Sequence, residues 1–71
     1  MSEVVHNSVQ QFRKNATVTQ EELAEAVGVT RQTIIAIEKG NYTPSVLLAI
    51  KLANFFDTSV KEVFYLDNET K

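Results

Sequence analysis

Residue types that perform covalent or acid–base chemistry are scarce in this chain. It has no cysteine and one histidine, His6, so it offers no thiolate nucleophile, no disulfide and no zinc-binding cluster of Cys and His. A lone His establishes neither a catalytic nor a metal role. The carboxylates Glu21, Glu22 and Glu25 lie close together, but they fall at a helix start, where acidic groups cap the backbone and suit the positive end of the helix dipole. No Gly-rich phosphate loop is present, and a core this small can hardly enclose a substrate pocket. The expectation is a protein that is not an enzyme and that needs no metal, cofactor or small-molecule ligand. The polar residues with a geometric context lie instead in residues 20–39, QEELAEAVGVTRQTIIAIEK.

The elements that position this stretch follow from helical periodicity. A first helix is expected over 7–16, with Val9 and Phe12 on one face and Arg13 and Lys14 beside it. Thr19-Gln-Glu-Glu22 is a capping box that opens a second helix, with Leu23, Ala24 and Val27 inward. Gly28 stops it in a left-handed conformation, and Val29 plugs the turn. Thr30 caps a third helix over 31–39, with Ile34 and Ile37 inward, which ends at Gly40. Small Ala24 lets the two helices cross closely, and Gly28 permits a sharp turn. The third helix is thereby free on its outer side, and a helix so placed can enter the major groove of DNA.

A fourth helix is expected over 44–56, with Pro44 at a favoured first helical position and Leu48, Ala49, Leu52, Phe55 and Phe56 as core candidates. Asp57 tolerates a left-handed conformation. Ser59-Val-Lys-Glu62 reads as a second capping box, opening a short fifth helix through Val63 and Phe64. Val4-Val5 and Phe64-Tyr65-Leu66 hold strand-forming residues. The two ends can pair as a small antiparallel ribbon, and the alternative is frayed termini.

The 71 residues are expected to form one domain over 1–71, with terminal segments at 1–6 and 65–71. A chain of this length buries a modest core, so a partner chain is the expected extra source of stability. The lack of cysteine fits a reducing, cytoplasmic compartment. No apolar run approaches a membrane span, and the start lacks the basic and apolar regions of a signal peptide. The net charge of −2 counts against nucleic-acid binding, because affinity for phosphates comes mostly from Lys and Arg. Any such role must rest on where the few cations sit.

The segment TQEELAEAVGVTRQTIIAIEKGNYTPS resembles the Cro/repressor-type helix-turn-helix regulators, often called the XRE family, and the resemblance runs over roughly residues 7–66. It implies an all-α, five-helix lambda-repressor-like DNA-binding domain of the short, single-domain type. By that resemblance Gln20 would bond a phosphate, and Thr30 would do likewise or face the groove. Arg31 and Gln32 would read bases, since Arg holds guanine and Gln holds adenine by paired hydrogen bonds. Thr33 and Ala36 would lie close to bases, and Lys39, Asn41 and Tyr42 would grip the backbone. Arg13 and Glu38 match a structural ion pair of the family.

Three positions depart from the family pattern. Thr17 stands where the first loop usually carries Gly, so the first helix is expected to end differently. Ile35 is apolar where the family often has a polar residue, fit for a thymine methyl or partial cover. Leu47 is apolar at a usually exposed place, which makes it a dimer-contact candidate together with Phe64, Tyr65 and Leu66. The expected function is a sequence-specific transcriptional repressor, bound as a homodimer to double-stranded DNA, with half-sites ~34–36 Å apart. The alternative is an antitoxin-like or accessory protein-interaction module on the same fold.

Overall fold

A computed structural model describes residues 4–66. Positions 1–3 and 67–71 of the expected terminal segments therefore lie outside the described residues. The element order is β1 (Val5–Asn7), α1 (Val9–Asn15), α2 (Gln20–Val27), α3 (Arg31–Lys39), α4 (Val46–Phe55), α5 (Val60–Val63) and β2 (Phe64–Leu66). The five-helix architecture agrees with the sequence reading, and Val5–Asn7 and Phe64–Leu66 form the expected strand pair. That pair is antiparallel, with Val5 opposite Leu66, His6 opposite Tyr65 and Asn7 opposite Phe64.

The core is wholly apolar: Val9, Leu23, Ala24, Val27, Ile34, Ile37, Leu48, Leu52, Ala53 and Val63 are buried, and each of the five helices contributes. Phe12, Val18, Val29, Phe56 and Phe64 pack around it. The pleat and the helical period explain which residues enter. Leu23 and Val27, or Leu48 and Leu52, stand four apart and share a face.

Both ends of α2 are fixed locally. The Thr19 hydroxyl accepts from Glu22 N–H at 3.0 Å, and the Glu22 carboxylate accepts from Thr19 N–H at 2.9 Å. Gly28 closes α2 at φ +78°, a backbone region in which a Cβ is strained, and Val29 N–H then donates to Ala24 C=O. The Thr30 hydroxyl accepts from Thr33 N–H at 3.3 Å to open α3.

Several boundaries differ from those expected. Helix α1 starts at Val9 because Asn7 belongs to β1; the Asn7 Oδ1 accepts from Val9 N–H at 3.1 Å and caps the helix from outside. Helix α4 starts at Val46, not Pro44. Ser45 is its cap, accepting from Leu48 N–H at 3.1 Å, and Pro44 precedes the cap, where its fixed φ orients the entering chain. Phe55 is exposed and Ala49 only half-buried, while Ala53 takes a core place. Phe55 instead lies edge-on to Phe56, which packs on Phe12 with ring centroids 5.4 Å apart. The second capping box is not made: Ser59 precedes α5 without a side-chain cap. Phe64 leaves α5 for β2: its N–H still closes the last turn on Val60 C=O, but its backbone is extended at φ −124° and ψ 136° and it stands opposite Asn7 in the ribbon.

Among the described residues, two non-glycine residues hold a left-handed backbone, Thr17 at φ +55° and Asp57 at φ +58°. Asp tolerates this region, whereas a β-branched Thr is strained there. Thr17 thus adopts a glycine-like turn with the wrong side chain. Replacing Thr17 by Gly is expected to stabilise the fold by up to ~1 kcal/mol, the relief of strain exceeding the added freedom of the unfolded chain. Differential scanning calorimetry should record a rise of a few °C in Tm, about 4–8 °C per kcal/mol for a domain of this size. An unchanged or lower Tm would show that the turn carries no strain.

Candidate nucleic-acid interface

The outer face of α3 is built by the same periodicity that builds its inner face. Ile34 and Ile37 are buried. Gln32, Ile35, Ala36 and Lys39 recur at i, i+3, i+4 and i+7 and so share the opposite face. Gln32 and Lys39 are exposed, and Ile35 and Ala36 half-buried. Arg31 is exposed at the first helical position, on the flank nearest α2. It joins Arg13, Thr19, Gln20 and Glu21 in lining an open cleft between the starts of α2 and α3.

Thr33 is half-buried on the other flank. Its hydroxyl is 3.1 Å from that of Thr30, so both hydroxyls are engaged in holding the start of α3. Beyond the helix, Gly40 at φ +82° turns the chain. Asn41 and Tyr42 follow it exposed, with Asn41 N–H donating to Ala36 C=O.

Beneath this surface lies a polar cluster spanning three helices. Arg13 Nε donates to Glu38 Oε2 at 2.7 Å and Arg13 Nη2 to Glu38 Oε1 at 3.3 Å. Arg13 Nη1 donates to Val18 C=O at 2.9 Å. Gln20 Nε2 donates to Glu38 Oε1 at 3.0 Å. The Arg13 and Glu38 side chains retain 12% and 3% of their exposure. A paired, forked guanidinium satisfies a buried carboxylate in a way an ammonium cannot. Gln20 therefore has an intramolecular bond that the sequence reading did not assign to it.

A second anchor was also not foreseen. Asn7 Nδ2 donates to Ile37 C=O at 2.9 Å, tying β1 to the last turn of α3. The sequence gives a local hint in the Asn two residues before a helix start, but nothing that points to a carbonyl 30 residues away.

The dimer-contact candidates fall on two elements. Leu47 is 64% exposed on α4, beside Val46 at 77% and Ile50 at 43%. Phe64, Tyr65 and Leu66 are half-buried in β2. Phe64 packs on the core, and Tyr65 stacks on His6 with centroids 5.8 Å apart. No group of three His, Cys, Asp or Glu able to hold a metal occurs among the described residues. None of the described helices is long and apolar enough to cross a membrane.

Comparison with known proteins agrees with this geometry. The sequence model of the helix-turn-helix family matches residues 9–63. The chain is 49% identical over 63 residues to the uncharacterized HTH-type transcriptional regulator YgzD of Bacillus subtilis, covering 89% of this chain and 96% of that protein. It is 50% identical over 64 residues to an uncharacterized HTH-type transcriptional regulator of Methanocaldococcus jannaschii, covering 89% and 97% of the two chains. Among solved structures, the restriction-modification controller protein C.AhdI of Aeromonas hydrophila superposes with a TM-score of 0.71 at 28% identity, over 76% of this chain and 78% of that one.

The buried pair sets a stability prediction. Glu38→Ala removes the partner of a guanidinium that stays buried, which costs ~3–5 kcal/mol. Urea unfolding followed by circular dichroism should give a midpoint far below wild type, or no folded baseline. Lys14→Ala, at an exposed neighbour of Arg13, should change the midpoint little, as surface substitutions usually do.

Proposed function

The chain belongs to the helix-turn-helix family, and on that premise we propose that it is a sequence-specific DNA-binding transcriptional regulator that acts as a homodimeric repressor. The observation that carries the reading is the outer face of α3. A helix clamped at both ends presents Arg31, Gln32, Ile35, Ala36 and Lys39 away from the core, with dimensions that suit the major groove.

Arg31 and Gln32 read base edges, and Ile35 and Ala36 offer apolar contact to thymine methyl groups. Lys39, Asn41 and Tyr42 hold phosphates at the end of the helix, and Gln20 and Thr30 do so at its start. The hydroxyls of Thr30 and Thr33 already bond each other, so their part is to fix the start of α3 as much as to touch DNA. The second copy docks through apolar surface, for which Leu47 with Val46 and Ile50 on α4 is the best supported face.

The test is fluorescence anisotropy against duplexes enriched from a random pool, at several salt concentrations. A two-fold symmetric sequence is expected, with affinity falling as salt rises. Arg31→Ala should cost ~1–3 kcal/mol and relax the preference at one base pair in each half-site. Absence of any enriched sequence and weak binding at low salt would overturn the reading. A stoichiometric protein partner that survives nuclease treatment would then favour the interaction-module alternative, for which the exposed apolar face of α4 is also suited.

Sedimentation equilibrium tests the dimer separately. Wild type is expected to associate, and Leu47→Glu to shift it toward monomer, because a charge placed in an apolar contact is left unpaired. A wild-type monomer at all concentrations, with or without DNA, would remove the dimer from the proposal.

A further inference from the structure

Glu38 lies on the inner flank of α3 with a side chain 3% exposed, too deep to touch a nucleic acid. Its carboxylate nevertheless reaches the proposed interface through Gln20, whose Nε2 donates to Glu38 Oε1 at 3.0 Å. An ionised carboxylate accepts hydrogen bonds and cannot donate them. The Gln20 amide must therefore turn its nitrogen, not its oxygen, toward Glu38. One amide hydrogen is consumed, and the second hydrogen and Oε1 remain for a ligand.

The carboxylate is itself immobilised. Arg13 grips both of its oxygens through Nε and Nη2, while Arg13 Nη1 is held by Val18 C=O. Gln20 sits at the first position of α2 and Glu38 near the end of α3, so the bond forms only at the native crossing of the two helices. The amide it orients lines the same cleft as Arg31.

We propose that Glu38 is a positioning residue for DNA recognition, setting which end of the Gln20 amide is offered to the nucleic acid and removing that side chain's freedom before binding. The inference rests on the DNA-binding reading of Gln20. Fixing a flexible polar side chain in advance lowers the entropy that binding must overcome. With Glu38→Gln the acceptor gains a donor of its own, and the Gln20 amide can then present either end.

The test is a double-mutant cycle in anisotropy on the enriched duplex, using wild type, Glu38→Gln, Gln20→Ala and the double variant, at a temperature where circular dichroism shows all four folded. Glu38→Gln is expected to weaken binding about tenfold in the wild-type background and less than about twofold in the Gln20→Ala background. Losses that multiply would show that Glu38 does not act through Gln20, and would overturn the proposal. If Glu38→Gln fails to fold, Glu38→Asp takes its place, since it keeps a charge for Arg13 and draws the carboxylate back from Gln20.

Nuclear magnetic resonance of the free protein gives a readout independent of DNA. The Gln20 side-chain amide is expected to show slowed exchange and separated proton shifts, which move toward free-amide values in Glu38→Asp, where the carboxylate is drawn back from it. A free-amide spectrum in wild type overturns the proposal outright. If wild type binds no duplex, the regulator reading fails, and this spectrum alone decides whether Glu38 orients Gln20.

Discussion

The buried carboxylate of Glu38 is the interaction on which the rest of the arrangement depends. It is bonded by Arg13 from α1 and by Gln20 from α2, and it stands on α3 itself. A charge at that depth is tolerable only while paired and fully hydrogen-bonded. The three helices must therefore meet at one angle for the cluster to close. The apolar core is less directional by comparison, because the gain from burying Leu23, Val27, Ile34 and Ile37 follows the area removed from water rather than any one bond angle. Directional bonds to a buried carboxylate cannot slide. The hydrophobic cluster supplies the driving force, and the Arg13–Glu38–Gln20 cluster selects the crossing geometry of α2 and α3 from those the core would allow.

The ends of α3 are controlled just as closely, and from outside the helix. The Thr30 hydroxyl holds the start, and Gly40 with the Asn41 N–H closes the end. Asn7 reaches from β1 to the Ile37 carbonyl in the last turn. Because β1 pairs with β2 across the chain ends, the ribbon is more than a terminal decoration: it ties the first and last described segments to the helix that carries the exposed polar face. The single-turn helix α5 has no such cap of its own and is held by Val63 in the core and by Ser8 N–H donating to Val63 C=O at 2.8 Å.

What was legible in the sequence was what is encoded locally. Thr19 and Glu22 cap each other three residues apart, Gly28 needs a left-handed backbone, and Leu23, Val27, Ile34 and Ile37 follow the helical period; each of these is settled within one or two turns. Misreadings arose where two local rules competed. At Thr43-Pro44-Ser45, the preference of Pro for a first helical turn and that of Ser for a cap assign different starts to α4, and the Ser45 hydroxyl decides it by bonding Leu48 N–H. Phe55 has the side chain most often buried, but it sits on the side of α4 away from the core, and small Ala53 goes in instead. The Ser59–Glu62 pattern matches a capping box, yet a helix of four residues places little demand on a cap. The bonds from Gln20 to Glu38 and from Asn7 to Ile37 span 18 and 30 residues, and nothing in the spacing of polar residues announces a partner at that range.

The acidic balance of the chain finds a physical place in this arrangement. Arg13 is spent on Glu38, and Glu21, Glu22 and Glu25 stand exposed on α2, so among the described residues the exposed cations on or beside α3 are few: Arg31, Lys39 and Lys51, which lies against the Gly28 turn. Attraction to phosphate that ignores sequence scales with the number of cations engaged, and here it is small. Discrimination between bases comes from paired hydrogen bonds and apolar contact, which do not depend on net charge. A scaffold with few cations on an acidic background therefore suppresses binding to random DNA more than binding to a matched site, and the ratio of the two is what determines occupancy among many competing sites. Weak binding by one copy is the cost, and the proposed dimer would recover it on a symmetric site, because the second α3 would engage at the effective concentration set by the first. The exposed apolar face of α4 and the acidic charge would then belong to one design: the proposed dimerisation would restore the affinity that the sparse positive charge gives up, and only where two half-sites occur at the right spacing.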